Sequence, residues 1–381
     1  MEIKNLKKVA QRIKKAIKTK ENIIIYSDAD LDGTASLIVL EETIKNLGGE
    51  VAVRYFPARE KDGYGLSEKA LKNFRKYAPA LLILLDCGIG NFKEVEIAQR
   101  MGFETIIIEH HEILGKLPPA SIIVDPKQKG DNYPFKYLAT CGLVFKLAEI
   151  LLGKNMTDNL RKSFLELVAL GTLADMMPQR EDNQNFIEEG LLSLSSTFRP
   201  GLRVFFKLFD PQKFSSRELA QKIISILQIT DTKKHLTESY LILSTPSEKQ
   251  AEKMAQQLFK KSLQRHQLIQ QLSWELSQEI TDKSSPIIFA GGKEIPLSLT
   301  GAIAGKLRRK FKKPTFIYNS NQKISRGSVR TPEGVNGVKA MEACSQFLEV
   351  YGGHPQASGF TCKNENLEKF EQCLKNYFKK L

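Results

Sequence analysis

Residues 23–36 read IIIYSDADLDGTAS, and the change of character along this stretch decides the fold. Ile23, Ile24 and Ile25 are consecutive β-branched residues, a short strand with no polar face. Asp28, Asp30 and Asp32 follow at alternate positions, and from Thr34 to Leu47 the apolar residues recur at helical spacing until Gly48-Gly49. A strand that is apolar on both sides and passes through acids into a helix opens a parallel α/β unit.

The same grammar repeats downstream. Glu50 to Tyr55 alternates like a strand, and Leu81 to Leu85 is an apolar run that ends on Asp86 in LLILLDCG. An amphipathic helix is expected from Phe92 to Met101. Thr105 to Ile108 is a further strand, closed by Glu109, His110 and His111 in TIIIEHHEI, and Ser121 to Val124 is another. These elements predict an α/β fold whose parallel sheet is covered by helices on both faces. From Leu138 to about Leu243 the signals are mainly helical. Ser247-x-x-Gln250 then forms a capping-box pattern before a stretch free of Pro and Gly that runs to about Ile280. Met254, Leu258, Leu268, Leu272 and Leu276 fall on one side of that helix, which reads as a rigid connector. A smaller α/β unit begins after Pro286 with Ile287-Ile288-Phe289. The expected boundaries are 1–245 for the first domain, 246–283 for the connector and 284–381 for the second domain.

In an open parallel sheet the carboxyl ends of the strands share one edge, where ligand crevices form. Three strands therefore deliver Asp28, Asp30, Asp32, Asp86, Glu109, His110 and His111 to one rim. A lone Asp after a strand commonly caps a helix. Three at alternate positions, joined by Asp86 and a histidine pair, exceed what capping explains. So many acids repel one another unless cations neutralise them, and oxygen and imidazole donors suit Mn²⁺ or Mg²⁺.

Composition narrows the partners. The 381 residues suffice for two domains, and no apolar run approaches the roughly 18 to 20 residues of a membrane span. The first 20 residues are basic, with Ile3, Leu6, Ile13 and Ile17 at helical spacing. Lacking an apolar central region and rich in Lys rather than Arg, this segment reads as a surface helix rather than a targeting presequence. Five cysteines without a CxxC pair argue against a disulfide framework or zinc site and fit the cytoplasm. The net charge of +14 points to a polyanionic partner. The run Arg308 to Lys313 reads either as a phosphate-binding patch or as a solvated helix end. His235 and His266, in polar helical surroundings, are expected at the surface.

Taken together, these motifs resemble the DHH superfamily in its RecJ form. SDADLDGTAS is similar to its first motif, Asp86 to the second and Glu109-His110-His111 to the Asp-His-His that names it. LVALGTLADMMP, containing Asp175, resembles the fourth, and DPKQKGDNYPFKYLATCGLVFKLA resembles the segment between the third and fourth. RGSVRTPEGVNGVKAMEAC and YGGHPQASGFT resemble the DHH-associated domain. The resemblance implies a two-metal phosphodiesterase, an exonuclease of single-stranded DNA working 5′ to 3′ in repair and recombination. It places Asp30, Asp32, Asp86, His110 and Asp175 on two Mn²⁺ or Mg²⁺ ions, with Asp86 bridging and Asp28 a further ligand or supporting acid. His111 would contact the scissile phosphate. Arg59, Ser328 and Arg330 would bind the terminal phosphate, and Gly352-Gly353-His354 the nucleotide.

Three features depart from the pattern. Glu109 stands where the family has aspartate. Pro296-Leu297-Ser298-Leu299-Thr300-Gly301 stands where a His- and Gly-containing segment is expected. The chain also ends soon after YGGHPQASGFT, so no further oligonucleotide-binding barrel is expected. DNA is favoured over RNA as substrate, with replication or repair proteins as further partners and no membrane. The competing readings are a phosphodiesterase of short oligonucleotides or cyclic dinucleotides, and a non-catalytic replication scaffold.

Overall fold

The computed structural model describes residues 2–58, 62–228, 231–280 and 284–380. Five strands form the first sheet: β1 (Asn22–Ser27), β2 (Val53–Tyr55), β3 (Ala80–Leu85), β4 (Phe103–Ile108) and β5 (Ile122–Val124). Their spatial order is β2-β1-β3-β4-β5, and every neighbouring pair is parallel. The strands read as continuous apolar runs because alternate residues enter two different cores. Ile23, Ile25, Leu81, Ile83, Leu85, Ile106 and Ile108 pack with helices Leu6–Thr19, Leu31–Asn46, Thr140–Leu152 and Asp158–Ala174. Ile24, Tyr26, Leu82, Leu84 and Ile107 pack on the other face with Glu68–Phe74 and Phe92–Arg100.

The predicted helical region is built from Thr140–Leu152, Asp158–Ala174, Glu181–Leu194, Pro200–Leu208, Ser216–Leu227 and Glu238–Ser244. A two-residue hairpin, β6 (Thr232–Lys233) with β7 (Leu236–Thr237), interrupts it. His235 sits in that hairpin's turn, not in a helix, and stacks on Tyr55 with ring centroids 4.1 Å apart.

The chain divides into two units, Met1–Ser262 and Leu263–Leu381, so the division falls inside helix Glu248–Glu279 rather than at its ends. Ala251, Ala255 and Leu258 join the first core, whereas Leu272 and Leu276 join a core of the second unit. Leu268, expected on the same apolar side, is exposed. The capping box is half formed. Ser247 Oγ accepts from Gln250 N at 3.3 Å, but the Gln250 side chain accepts from Thr245 instead.

In the second unit the strands are β8 (Ile288–Gly292), β9 (Thr315–Ser320), β10 (Ile324–Arg330), β11 (Leu348–His354) and β12 (Ala357–Lys363). Their order is β11-β12-β10-β9-β8, with only β8 and β9 parallel. Helix Leu297–Phe311 buries Leu299, Ile303 and Leu307 against one face, and its last turn carries Arg308, Arg309 and Lys310. Helices Gly337–Glu342 and Leu367–Phe378 cover the other face around Phe316, Phe360 and Phe370. Cys344 and Cys373 are joined as a disulfide, against the expectation from the odd, scattered cysteines. The pairing is tertiary, across 29 residues, from just past the end of helix Gly337–Glu342 to the middle of helix Leu367–Phe378, and so leaves no local spacing to read.

Candidate metal centre

The acids converge as the strand ends predict. β1 ends at Ser27, and Asp28 is held there by its N–H donating to Leu85 O at 3.2 Å. Asp30 is the N-cap of helix Leu31–Asn46, its Oδ1 accepting from Gly33 N at 3.0 Å. One acid of the triplet thus does the capping that a single Asp after a strand would suggest. Gly33 is required here, since a Cβ would lie 2.3 Å from Asp28 O.

Asp32, in the first turn of that helix, points to a neighbouring helix of the same layer. Its oxygens accept from Thr140 N at 2.9 Å and Cys141 N at 2.8 Å, at the start of helix Thr140–Leu152. Orphan amides at a helix N-terminus favour an anion. Burial and the charge of Asp30 nevertheless push the Asp32 carboxyl up to about 6.

Asp86 ends β3 with φ 57°, in the left-handed region that Asp tolerates better than most residues. Its N–H donates to Ile108 O at 3.1 Å, its Oδ1 accepts from Thr140 Oγ1 at 3.0 Å and its carbonyl accepts from Tyr64 Oη at 3.0 Å. Burial, then the charges of Asp32, Asp30 and Asp175, raise its carboxyl well above the ordinary range. Asp175 caps the C-terminal end of Asp158–Ala174 and is raised for the same reasons, burial first and then Asp32 and Asp30.

His110 sits in the middle. Its Nε2 is 3.3 Å from Asp86 Oδ1, 3.5 Å from Asp175 Oδ2 and 3.7 Å from Asp32 Oδ2. Burial, then the charges of His111 and Lys127, hold it neutral by lowering its pKa well below the usual histidine value. Neutral imidazole is the ligand form. Donor atoms of Asp32, His110 and Asp175 lie within 4.8 Å of one another, as do those of Asp28, Asp30 and Asp86. The donor set fits divalent cations: carboxylates and an imidazole gathered so closely that the acids hold protons where no counter-charge is supplied.

Glu109 behaves differently. Its longer side chain folds back, so that Oε2 accepts from His110 N at 2.7 Å, His111 N at 2.8 Å and His111 Nδ1 at 2.8 Å. Burial would raise this carboxyl, but the His111 charge and hydrogen bond prevail and hold it at about 2. His111 is the reciprocal case. Burial opposes its protonation, yet Glu109 pushes it up to about 9, leaving a cation beside the acids.

Four supporting residues escape the sequence reading. Tyr64 and Thr140 hold Asp86 as described. Lys127 donates from Nζ to His110 O at 2.6 Å and pairs with Glu112 at 3.0 Å. Asp125 follows β5 as Asp86 follows β3, and burial followed by the Glu109 charge raises it to about 7. Its signal was present, since it too closes a strand on the same edge.

Ser328, Arg330, Gly352, Gly353 and His354 gather at one end of the second sheet. Gly352 faces Gly359 and Gly359 faces Ser328, while His354 faces Ala357 and Ala357 faces Arg330. Ser328 Oγ lies 2.8 Å from Thr300 Oγ1, so the departing segment 296–301 forms the helix turn over these residues. Arg330 Nη1 donates to Val329 O at 2.9 Å. Gly353, at φ 121°, leaves no room for a side chain, since a Cβ would lie 2.8 Å from Ala357 O. Arg59 lies outside the described residues.

Comparison with known proteins bears on the family and the fold. The DHH family, N-terminal domain, matches residues 22–172, and the DHHA1 domain matches 285–380. The single-stranded-DNA-specific exonuclease RecJ of Bacillus subtilis is 33% identical over 96% of this chain and 47% of its own length. RecJ of Thermus thermophilus is 24% identical over 98% of this chain and 54% of its own length. The chain thus spans about half the length of these relatives. The solved structure of Thermus thermophilus RecJ in complex with Mn²⁺ superposes with a TM-score of 0.85 at 21% identity, covering 100% of this chain and 55% of that one. Fold, motif order and both domain matches agree: the chain belongs to the DHH superfamily, as a RecJ-like protein with a DHH domain followed by a DHHA1 domain.

Proposed function

We propose that this protein is a metal-dependent exonuclease that hydrolyses single-stranded DNA from the 5′ end, in the cytoplasm, during repair and recombination. The observation that carries the reading is the His110 imidazole facing three carboxylates from three separate elements, with Asp32 held by backbone amides and Asp86 by a hydroxyl donor. Asp28, Asp30, Asp32, Asp86, His110 and Asp175 would hold two Mn²⁺ or Mg²⁺ ions. Such a pair supplies positive charge to the phosphate and lowers the pKa of water towards about 7.

The chain's own groups account for the rest. Glu109 keeps His111 protonated, so that His111 presents a positive N–H donor to a phosphate oxygen. Tyr64 restrains the same imidazole, its Oη 3.3 Å from Nδ1. Lys127 fixes the His110 backbone and thereby the aim of its ring. Ser328 and Arg330 would bind the terminal phosphate, with Arg59 a further candidate. Gly352 and Gly353 would let the backbone approach the nucleotide, and His354 would border it.

Cleavage of end-labelled DNA and RNA strands in Mn²⁺, wild type beside Asp86→Asn, tests the reading. Mononucleotides released from the 5′ end of DNA by the wild type alone are expected. Cleavage restricted to two- to five-nucleotide oligomers would replace it with the short-oligonucleotide reading. Strand binding with no cleavage in either protein would leave the scaffold.

A further inference from the structure

The first helix, Leu6–Thr19, reads LKKVAQRIKKAIKT, with six basic residues and no acid. Lys7, Lys14 and Lys18 recur at intervals of seven and four, and Lys8 and Lys15 at seven. At 100° per residue the five amines share an arc of about 120°. All five are exposed, and the opposite side, Leu6, Val9, Ala10, Ile13 and Ala16, is buried in the first core. Arg12 is neutralised by Glu21 and Glu104. Among the described residues, no carboxylate lies within ion-pair distance of Lys8, Lys14, Lys15 or Lys18, while Lys7 has only the exposed Glu2.

A basic amphipathic helix usually suggests a membrane surface or a partner's groove. Neither fits, because each needs an apolar face and this helix has already buried its own. What remains is a row of amines, which suits a chain of phosphates.

The row begins beside the metal centre. Lys4 N donates to Asp131 Oδ2 at 2.7 Å, Lys4 Nζ to Lys129 O at 2.7 Å and Asn5 Nδ2 to Ile123 O at 2.8 Å. That loop also carries Lys127, bonded to His110. A cavity of about 390 Å³ opens in this loop, walled by Lys127, Gln128, Lys136 and Tyr137, with Glu112 and Asp131 paired to the two lysines. Tyr137 is 43% exposed, a platform on which a base can stack. From there the helix runs towards Asn22, at the edge of the sheet opposite Asp28. Fourteen residues at about 1.5 Å each make a track of about 21 Å, room for up to about six nucleotides at 3.4 Å spacing.

We propose that the lysine face of the first helix binds the single-stranded nucleic acid beyond the nucleotide being cleaved, reached through the loop 125–137. This deepens the exonuclease reading and rests on it for the identity of the strand.

The test uses the full chain with Lys7→Gln, Lys14→Gln and Lys18→Gln combined, checked for wild-type thermal unfolding. Fluorescence anisotropy with a 20-nucleotide oligo-dT in EDTA is read at several salt concentrations. The expected result is a Kd raised ten-fold or more and a log Kd against log salt slope smaller by about 2, three phosphate contacts at about 0.7 each. A trinucleotide should shift less than two-fold. Equal 20-mer affinity and slope in both proteins would overturn the proposal. So would vesicles of anionic lipid binding in a lysine-dependent way while oligo-dT does not. Because binding is read without metal, the track can stand even if the wild type cleaves nothing, and can fail in an active enzyme.

Discussion

The two sheets present their candidate sites in opposite styles. On the first, Asp32, Asp86 and Asp175 crowd one imidazole, and their carboxyls are raised by burial first and then by the charges of neighbouring acids. On the second, Ser328 and Arg330 lie beside glycines, where close backbone approach does the shaping. The difference separates two ways of building a site. One concentrates like charge and weakens the fold until a cation arrives; the other removes side chains and leaves electrostatics mild.

The largest effect should come from breaking the charged half. Asp86→Asn is expected to lower Mn²⁺-dependent cleavage about 1,000-fold or more, or about 4 kcal/mol in the barrier. The same variant should raise the Tm of the metal-free protein, because a source of repulsion is gone. A metal-free Tm that falls would contradict the account of the rim as self-repelling. Gly33→Ala comes next, because a Cβ at 2.3 Å from Asp28 O must displace backbone. About 3 kcal/mol of lost stability is expected in urea unfolding, with weaker Mn²⁺ affinity by calorimetry.

Arg330→Ala probes the second style. KM for a 5′-phosphorylated strand should rise ten- to thirty-fold, about 1.4–2 kcal/mol, with kcat within three-fold and the metal-free Tm unchanged. A kcat loss matching that of Asp86→Asn would erase the contrast between the halves.

The smallest effect tests whether a buried carboxyl weakens the fold away from the rim. Glu166, buried with Thr197 and Arg199, is raised from 4.5 to about 7, chiefly by burial. A raised carboxyl binds its proton more tightly in the folded state. Stability from this group is therefore full below about pH 4.5 and declines as pH rises through 7. Glu166→Gln should match the wild type near pH 5 and exceed it by about 1–2 kcal/mol at pH 8 in urea titrations. A variant less stable than wild type at both pH values would count against it.

Much of this was legible in the chain because strand ends converge by topology. Once Ile23–Ile25, Leu81–Leu85 and Thr105–Ile108 are read as parallel strands, Asp28, Asp86 and His110 must share an edge. Tyr64 and Thr140 were not legible, since each reaches the centre from a loop or helix start whose approach depends on packing. Asp125 was within reach of the same strand-end rule. The Cys344–Cys373 pairing and the exposure of Leu268 depend on which helices meet, and no local pattern encodes that.

The left-handed backbone at Asp86 has a consequence for descent. Asn and Gly are the residues that share Asp's ease in that conformation, and both lie one nucleotide change from an Asp codon. A lineage can therefore lose its chemistry at this position in a single step without disturbing the turn that ends β3. Inactive descendants of such a chain would keep the sheet, the rim and the basic helix, ready to be retained for binding alone.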